Sequence, residues 1–281
     1  PAPDTAEGWE REALPIGNGR LGAMLFGQPA REHLQFNEIT LWTGDARTMG
    51  AYQPFGDVFV ELAGHEGLPR RYQRELQLGS ARHRVAYTLA GVAYQREAFA
   101  SHPAQAVVMR FTADRPGRYT GRVRLADAHG APTIAQLAAD GAQITSTGSL
   151  AQAAQAPNAM RYASRLQLLP QGGRVRAEGD SLVFEGCDAL TLVLGAGTSY
   201  VADAARGFLS GDDPLPRVAA QVAAAAARPY DTLAAEQERD HRALFDRVQL
   251  DLGSTAPVRR ALPTDTRLAA YTARGGDPEL E

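Results

Sequence analysis

The chain has 281 residues, of which 44% are hydrophobic and 22% are charged, and its formal net charge is −3. This length is enough for one large β-rich domain or two small domains, and the weak net charge gives no reason to expect nucleic acid or an anionic membrane as a partner. A single cysteine, Cys187, excludes a disulfide framework and a thiolate metal cluster. No apolar run approaches the roughly 18 residues that a membrane-spanning helix needs.

Short alternating or apolar stretches, separated by Gly, Pro and Asp, run from about residue 11 to residue 197. Arg82–Leu89 and Val92–Ala100 are joined by an Ala-Gly turn and are typical of a β-hairpin. A Pro-Gly turn separates the next two strands, Ala106–Thr112 and Arg118–Leu125. Strand patterns this frequent, with no helix between them, predict a mainly β protein built on an antiparallel sandwich.

The character of the sequence changes after about Gly211. Residues 216–227 are rich in Ala, and residues 232–248 place apolar side chains at near-helical spacing, so both segments predict helices. Alternation over 248–253 predicts one more strand, and a further helix begins near residue 265.

The segment Gly17–Gly22 matches the pattern G-x-G-x-x-G, which in dinucleotide-binding proteins joins a buried strand to a long helix. Here Pro15 interrupts the preceding residues, and Gly27 and Pro29 follow too soon for a helix to present its N-terminus to a pyrophosphate. We therefore interpret the match as a tight turn that leads into a strand, and we keep a nucleotide-dependent enzyme only as a remote hypothesis.

Two polar side chains of this turn, Asn18 and Arg20, are the first candidate site residues, because glycines on either side allow a sugar or a partner domain to approach closely. The alternative for Arg20 is a purely structural ion pair. The six histidines show no metal-ligand spacing, so we expect neither a metal site nor a cofactor.

Asn37, Glu38 and Trp42 are the other candidates. Asn37 and Glu38 are adjacent, so on a strand they face opposite sides, and one of them points to a packed interior where it must find partners. Trp42 shares the face of Glu38, and a Trp beside a carboxylate is a common platform for a sugar ring. A core Trp with a hydrogen-bonded structural Glu is the alternative.

Several segments together resemble the α-L-fucosidases of glycoside hydrolase family 95. The resemblance follows the family order along nearly the whole chain. The segments that carry it are Ala13–Met24, Leu34–Gly44, Tyr52–Asp57, Tyr72–Leu76, Gly91–Ser101 and Asp240–Arg247.

The resemblance implies a large antiparallel β-sandwich of the supersandwich, galactose-mutarotase-like type, followed by linker helices and an (α/α)6 barrel that carries the active site. Family members hydrolyse α-L-fucosyl or α-L-galactosyl linkages with inversion, and their catalytic residues belong to the barrel, so no catalytic residue is expected in this chain. We expect three parts: the sandwich over 1–211, linker helices with one returning strand over 212–263, and the first helix of the missing barrel over 264–281.

The expected role is therefore a non-catalytic scaffold, with Asn18, Arg20, Asn37, Glu38 and Trp42 as candidates for the substrate rim or the domain interface. Expected partners are the protein's own C-terminal barrel and, through the full-length protein, fucosylated or related glycans. A free-standing carbohydrate-binding module is the alternative. A periplasmic or secreted bacterial location is expected, although no signal peptide is visible in the sequence.

Overall fold

The computed structural model describes residues 5–44, 48–139, 141–150 and 160–281. The strands are β1 (Leu14–Gly17), β2 (Leu21–Leu25), β3 (Arg31–Glu38), β4 (Gly56–Leu62), β5 (Arg70–Gln77), β6 (Arg82–Leu89), β7 (Val92–Ser101), β8 (Ala106–Ala113), β9 (Tyr119–Asp127), β10 (Thr133–Ala138), β11 (Gly141–Ser149), β12 (Arg161–Gln171), β13 (Arg174–Glu178), β14 (Ser181–Cys187) and β15 (Ala189–Thr198). The helices are α1 (Ala6–Arg11), α2 (Leu215–Ala226), α3 (Tyr230–Phe245), α4 (Pro257–Arg260) and α5 (Thr264–Arg274), with a short 3-10 helix at Ala204–Arg206.

The strands form two large sheets that pack face to face. The seven-stranded sheet has the order β1-β2-β3-β4-β9-β14-β13, and the eight-stranded sheet has the order β10-β11-β12-β15-β8-β7-β6-β5. Apolar side chains that alternate along the strands fill the space between the sheets, among them Leu34, Val60, Phe111, Leu166 and Phe184. The predicted fold class, a mainly β antiparallel sandwich followed by helices, is confirmed.

Helices α2 and α3 cover the outer face of the eight-stranded sheet. Val222 of α2 and Leu233 of α3 pack there against Phe99 and Val193, which point away from the space between the sheets. A Cβ atom on Gly195 would lie 2.6 Å from Cγ2 of Val222, so only glycine lets α2 come this close. Central strand β15 is consequently buried along its whole length.

The predicted hairpin of β6 and β7 is present, with the pairs Tyr87↔Tyr94 and Leu89↔Val92. The Ala-rich segment and the segment after it form α2 and α3, as predicted. The strand expected over 248–253 is wrong, since these residues have no regular secondary structure. Their side chains are exposed, and none of the described strands pairs with them. Alternation of apolar and polar residues does not form a stable strand without a hydrogen-bonded neighbour.

The chain packs as two compact units, residues 1–242 and 243–281. In the second unit, Asp277 accepts hydrogen bonds from Thr255 Oγ1 at 2.5 Å and from two nitrogens of Arg267 at 2.7 and 3.0 Å. The bonds from Arg267 are the main reason why the pKa of Asp277 falls to about 2. No helix in the described part of the chain is long and apolar enough to cross a membrane.

A buried ion pair joins the two sheets inside the sandwich. Arg96 of β7 donates to Glu32 of β3 at 3.2 Å, and the two side chains are only 2% and 1% exposed. The guanidinium also donates to the carbonyl oxygens of Gln28 and Pro29 and to the hydroxyl of Tyr87. A charge taken out of water is tolerated only when hydrogen bonds replace its hydration, and Arg96 has them from both sheets.

Two buried histidines lie near this ion pair. Burial is the main reason why the pKa of His65 falls to about 4 and that of His83 to about 3, and the charge of Arg96 lowers both further. His65 hydrogen-bonds the hydroxyl of Tyr87 at 2.7 Å. Nε2 of His83 has no hydrogen-bond partner among the described residues. The folded state therefore holds both rings neutral.

These shifts predict that the free energy of unfolding decreases as the pH falls below about 6.5. Between pH 6.5 and about 3, His83 is protonated in the unfolded chain but stays neutral in the folded chain. The free energy of unfolding therefore falls by up to about 1.4 kcal/mol for each pH unit. Urea denaturation at a series of pH values measures this slope. His83→Met should reduce this slope, and equal slopes in His83→Met and the parent chain would contradict the assignment.

Candidate functional site

The G-x-G-x-x-G segment forms the hairpin turn between β1 and β2, as the sequence predicts. Oδ1 of Asn18 accepts hydrogen bonds from the backbone N–H groups of Arg20 at 3.0 Å and Leu21 at 2.7 Å. Gly19 takes a φ of 86°, in the region that favours glycine. Nδ2 of Asn18 donates to the carbonyl oxygen of Ser101 at 2.9 Å. Asn18 thus shapes the turn and joins it to the end of β7.

Arg20 extends from this turn to the other sheet. Its Nε and Nη2 donate to the side-chain oxygen and the carbonyl oxygen of Gln105, at 2.5 and 3.0 Å, in the turn between β7 and β8. Its Nη1 donates to the carbonyl oxygen of Ala196 in β15 at 2.7 Å. Burial lowers the pKa of Arg20, and the adjacent carboxylate of Glu38 opposes that effect. Arg20 therefore links the two sheets at one end of the sandwich.

Glu38, at the end of β3, is buried and uses both of its carboxylate oxygens. Oε1 lies 3.3 Å from Nη1 of Arg20, and Oε2 accepts from the N–H and the hydroxyl of Thr40 at 2.8 and 2.5 Å. The hydroxyl of Thr40 contacts that of Thr198 at 2.5 Å, and Arg217 of α2 donates to the carbonyl oxygen of Thr198. We call Asn18, Arg20, Glu38, Thr40 and Thr198 the Arg20–Glu38 cluster.

Trp42 and Tyr52 form an exposed aromatic pair close to this cluster. Their ring centroids are 5.7 Å apart, the two residues are bridged as antiparallel neighbours, and they are 41% and 45% exposed. The indole N–H of Trp42 donates to the carbonyl oxygen of Met49 at 2.7 Å, which fixes the ring. Burial and then the negative charge of Glu38 raise the pKa of Tyr52.

The structure brings three of the five candidates, Asn18, Arg20 and Glu38, into one cluster and leaves two outside it. Oδ1 of Asn37 accepts from the N–H of Glu38, and the two side chains lie on opposite faces of β3. Trp42 pairs with Tyr52 instead of packing in the core.

Sequence reasoning did not identify Gln105, Thr198 and Arg217 as partners of the cluster. They lie far from Glu38 along the chain and belong to no motif, so only the fold reveals them. The described residues contain no group of three His, Cys, Asp or Glu side chains that could hold a metal ion.

The family model described as "Glycosyl hydrolase family 65, N-terminal domain" matches residues 2–51 and 45–203. Alpha-L-fucosidase 2 of Arabidopsis thaliana is 27% identical over 330 residues, which cover 96% of this chain and 39% of that protein. The probable alpha-fucosidase A of Aspergillus oryzae is 22% identical over 342 residues, with coverage of 98% and 44%. The chain thus spans about two fifths of the length of these curated relatives.

Among solved structures, a putative kojibiose phosphorylase from the human microbiome aligns with a TM-score of 0.46 and 8% identity, over 82% of this chain and 35% of that one. The family model, in contrast, matches well over half of the chain by sequence. The chain therefore belongs to the family described as "Glycosyl hydrolase family 65, N-terminal domain".

Proposed function

We propose that this chain is the non-catalytic N-terminal domain of a family 95 α-L-fucosidase, whose whole polypeptide hydrolyses α-L-fucosyl or α-L-galactosyl linkages by inversion. The observation that carries the proposal is the alignment of almost the entire chain with one part of curated α-fucosidases. The barrel that performs the chemistry is its proposed partner, fucosylated glycans are the substrates of the whole protein, and the periplasm or the extracellular space is its proposed location.

The state of Glu38 supports a structural role for the cluster. A general acid or a water-activating base must reach the substrate with a free oxygen. Both carboxylate oxygens of Glu38 are instead engaged by Arg20 and Thr40, and the side chain is only 3% exposed. The cluster therefore serves to hold the turn between β1 and β2, strand β15 and the segment after β3 in fixed positions.

The exposed pair of Trp42 and Tyr52 supports a role for this end of the sandwich at the rim of the active site. The bridge between the two residues and the bond from Trp42 to Met49 give the rings fixed positions. A fixed aromatic surface can pack against the apolar face of a sugar at a low cost in conformational entropy. We propose that it contacts the part of the glycan that lies beyond the cleaved bond.

The proposed function is tested by comparing the chain 1–281 with the natural polypeptide that contains it. We expect the natural polypeptide to release L-fucose from 2′-fucosyllactose, with the inverted anomer appearing first by NMR. The chain 1–281 alone should release none, because its candidate carboxylate is fully engaged in structural contacts. Release by 1–281 alone would refute the non-catalytic assignment, and failure of the natural polypeptide to hydrolyse either fucosides or α-L-galactosides would refute the family 95 assignment.

The rim role predicts that Trp42→Ala in the natural polypeptide raises KM for 2′-fucosyllactose by about tenfold, equivalent to roughly 1.4 kcal/mol, with little change in kcat. Loss of a contact that substrate and transition state share has this signature. Ile134→Ala, at an exposed apolar position of edge strand β10, is the matched control and should change neither constant. An unchanged KM in Trp42→Ala would remove Trp42 from the rim.

The scaffold role predicts that Arg20→Ala destabilises the chain 1–281 by about 3 kcal/mol, because it leaves the buried Glu38 carboxylate without its cation. The double variant with Glu38→Gln should lose less, since it carries no unpaired charge. Asn37→Ala, on the opposite face of β3, should stay within about 0.5 kcal/mol. Urea denaturation measures all three, and an Arg20→Ala variant as stable as Asn37→Ala would show that the cluster does not hold the sandwich.

A further inference from the structure

The outer face of the seven-stranded sheet is left open over its central strands, unlike the outer face of the other sheet. On strands β3, β4 and β9 the outward side chains form three cross-strand rows. These rows are Gln35 and Asp57; His33, Phe59 and Arg124; and Arg31, Glu61 and Arg122. Rings stack across the middle row, with centroids 4.3 Å apart for Phe26 and His33 and 4.6 Å apart for His33 and Phe59. Because these rings stack on one another, the row is a rigid support, and Phe26 and His33 lie next to Trp9 in the lining of one cavity.

A cavity of about 390 Å³ lies at one side of this face, between α1 and strands β2 and β3. Its lining residues are Thr5, Ala6, Trp9, Phe26, His33 and Gln35. Helix α1 places Trp9 over the cavity, and this residue is 41% exposed. The cavity is an open groove, into which a sugar ring can be placed against the indole.

Polar groups with hydrogen-bonding capacity surround the indole. The side-chain amide of Gln35 and the indole N–H of Trp9 make no hydrogen bond to a described residue. Nε2 of His33 lies 2.7 Å from Oδ1 of Asp57, while Asp57 remains 26% exposed and its second carboxylate oxygen accepts no hydrogen bond from the described chain. Gln35 lines the cavity with the exposed ring of Trp9, and Asp57 is the cross-strand neighbour of Gln35. The amide of Gln35 and the carboxylate of Asp57 can each bind hydroxyl groups.

The rows carry three arginines and two carboxylates, and the arginines are held by Glu61 or by the ring of Phe59, which favours a neutral ligand. Glu61 lies between Arg31 and Arg122, at 3.9 and 3.8 Å. The guanidinium groups of Arg31 and Arg124 lie over the ring of Phe59, at 4.3 and 4.8 Å from its centroid. Cations held in this way do not form the concentrated positive field that a phosphate or a nucleic acid requires.

A second cavity of about 520 Å³ lies on the same face, next to the charged row. Its lining includes Arg31, Glu61, Arg122, Val183 and Glu185. Neighbouring strands are about 4.8 Å apart and alternate residues of one strand about 7 Å apart, so the two cavities are separated by only a few side chains. This spacing suits a ligand of several linked rings.

We propose that the outer face of the seven-stranded sheet binds a neutral oligosaccharide, with one sugar ring against Trp9 and its hydroxyl groups hydrogen-bonded to Gln35 and Asp57. The site is separate from the rim pair of Trp42 and Tyr52. It requires no catalytic domain, so it goes beyond the proposed function and can fail without it.

The chain has two tryptophans, which allows a direct test. Trp42→Phe leaves Trp9 as the single indole, and Trp9→Phe leaves Trp42. Both forms of the chain 1–281 are titrated with 2′-fucosyllactose, cellotetraose and maltotetraose while tryptophan fluorescence is recorded. We expect at least one of these sugars to change the fluorescence of the Trp42→Phe form saturably, with a Kd on the order of 1 mM or tighter, and to leave the Trp9→Phe form unchanged.

Gln35→Ala in the Trp42→Phe form should weaken this binding by about tenfold, equivalent to losing hydrogen bonds worth roughly 1.4 kcal/mol. Asn37→Ala, two residues along the same face of β3, is the matched control and should bind as the parent does. Urea midpoints establish that each variant is folded. The proposal is overturned if no sugar gives a saturable change in the Trp9 signal, if only the Trp42 signal responds, or if Gln35→Ala binds as tightly as Asn37→Ala.

Discussion

The buried ion pair of Arg96 and Glu32 is the constraint on which the sandwich depends. Burial raises the pKa of Glu32, and the pair is retained because Arg96 and the N–H of Gly27 bind the ionised carboxylate. Since Arg96 belongs to one sheet and Glu32 to the other, their hydrogen bonds fix how the two sheets are positioned. Apolar packing between the sheets would tolerate small sliding movements, whereas a desolvated ion pair with directional bonds does not.

Strand β3 carries a second buried carboxylate, Glu38, six residues after Glu32. Both face the space between the sheets because six is an even number of residues, and they lie about 20 Å apart along the strand. Each is paired with an arginine that also reaches carbonyl oxygens elsewhere, so β3 is held near both ends. These carboxylates are used for architecture, which agrees with the proposed scaffold role of the domain.

Most of the strands and the helices α2, α3 and α5 could be predicted from the sequence because their causes are local. Alternation, the turn before Val92 and the Ala-rich run of α2 each act within a few residues. The partners of Arg20 could not be predicted, because Gln105 and Ala196 are 85 and 176 residues away and approach only after both sheets form. The turn at Pro116 shows the same limit: its local chemistry fits any tight turn, yet the strands on either side, β8 and β9, belong to different sheets.

The distribution of aromatic residues relates the fold to the proposed binding surfaces. Phenylalanine and tyrosine side chains such as Phe111, Tyr119 and Phe184 fill the space between the sheets without either tryptophan. The two indoles lie instead at the surface, Trp42 at the end that carries the Arg20–Glu38 cluster and Trp9 over the open sheet face. Neither adds much to the core, and a partly exposed indole loses little entropy when a flat ligand packs on it. Since α2 and α3 cover the other sheet, these two surfaces are where the sandwich combines exposed indole rings with polar groups that a sugar can use.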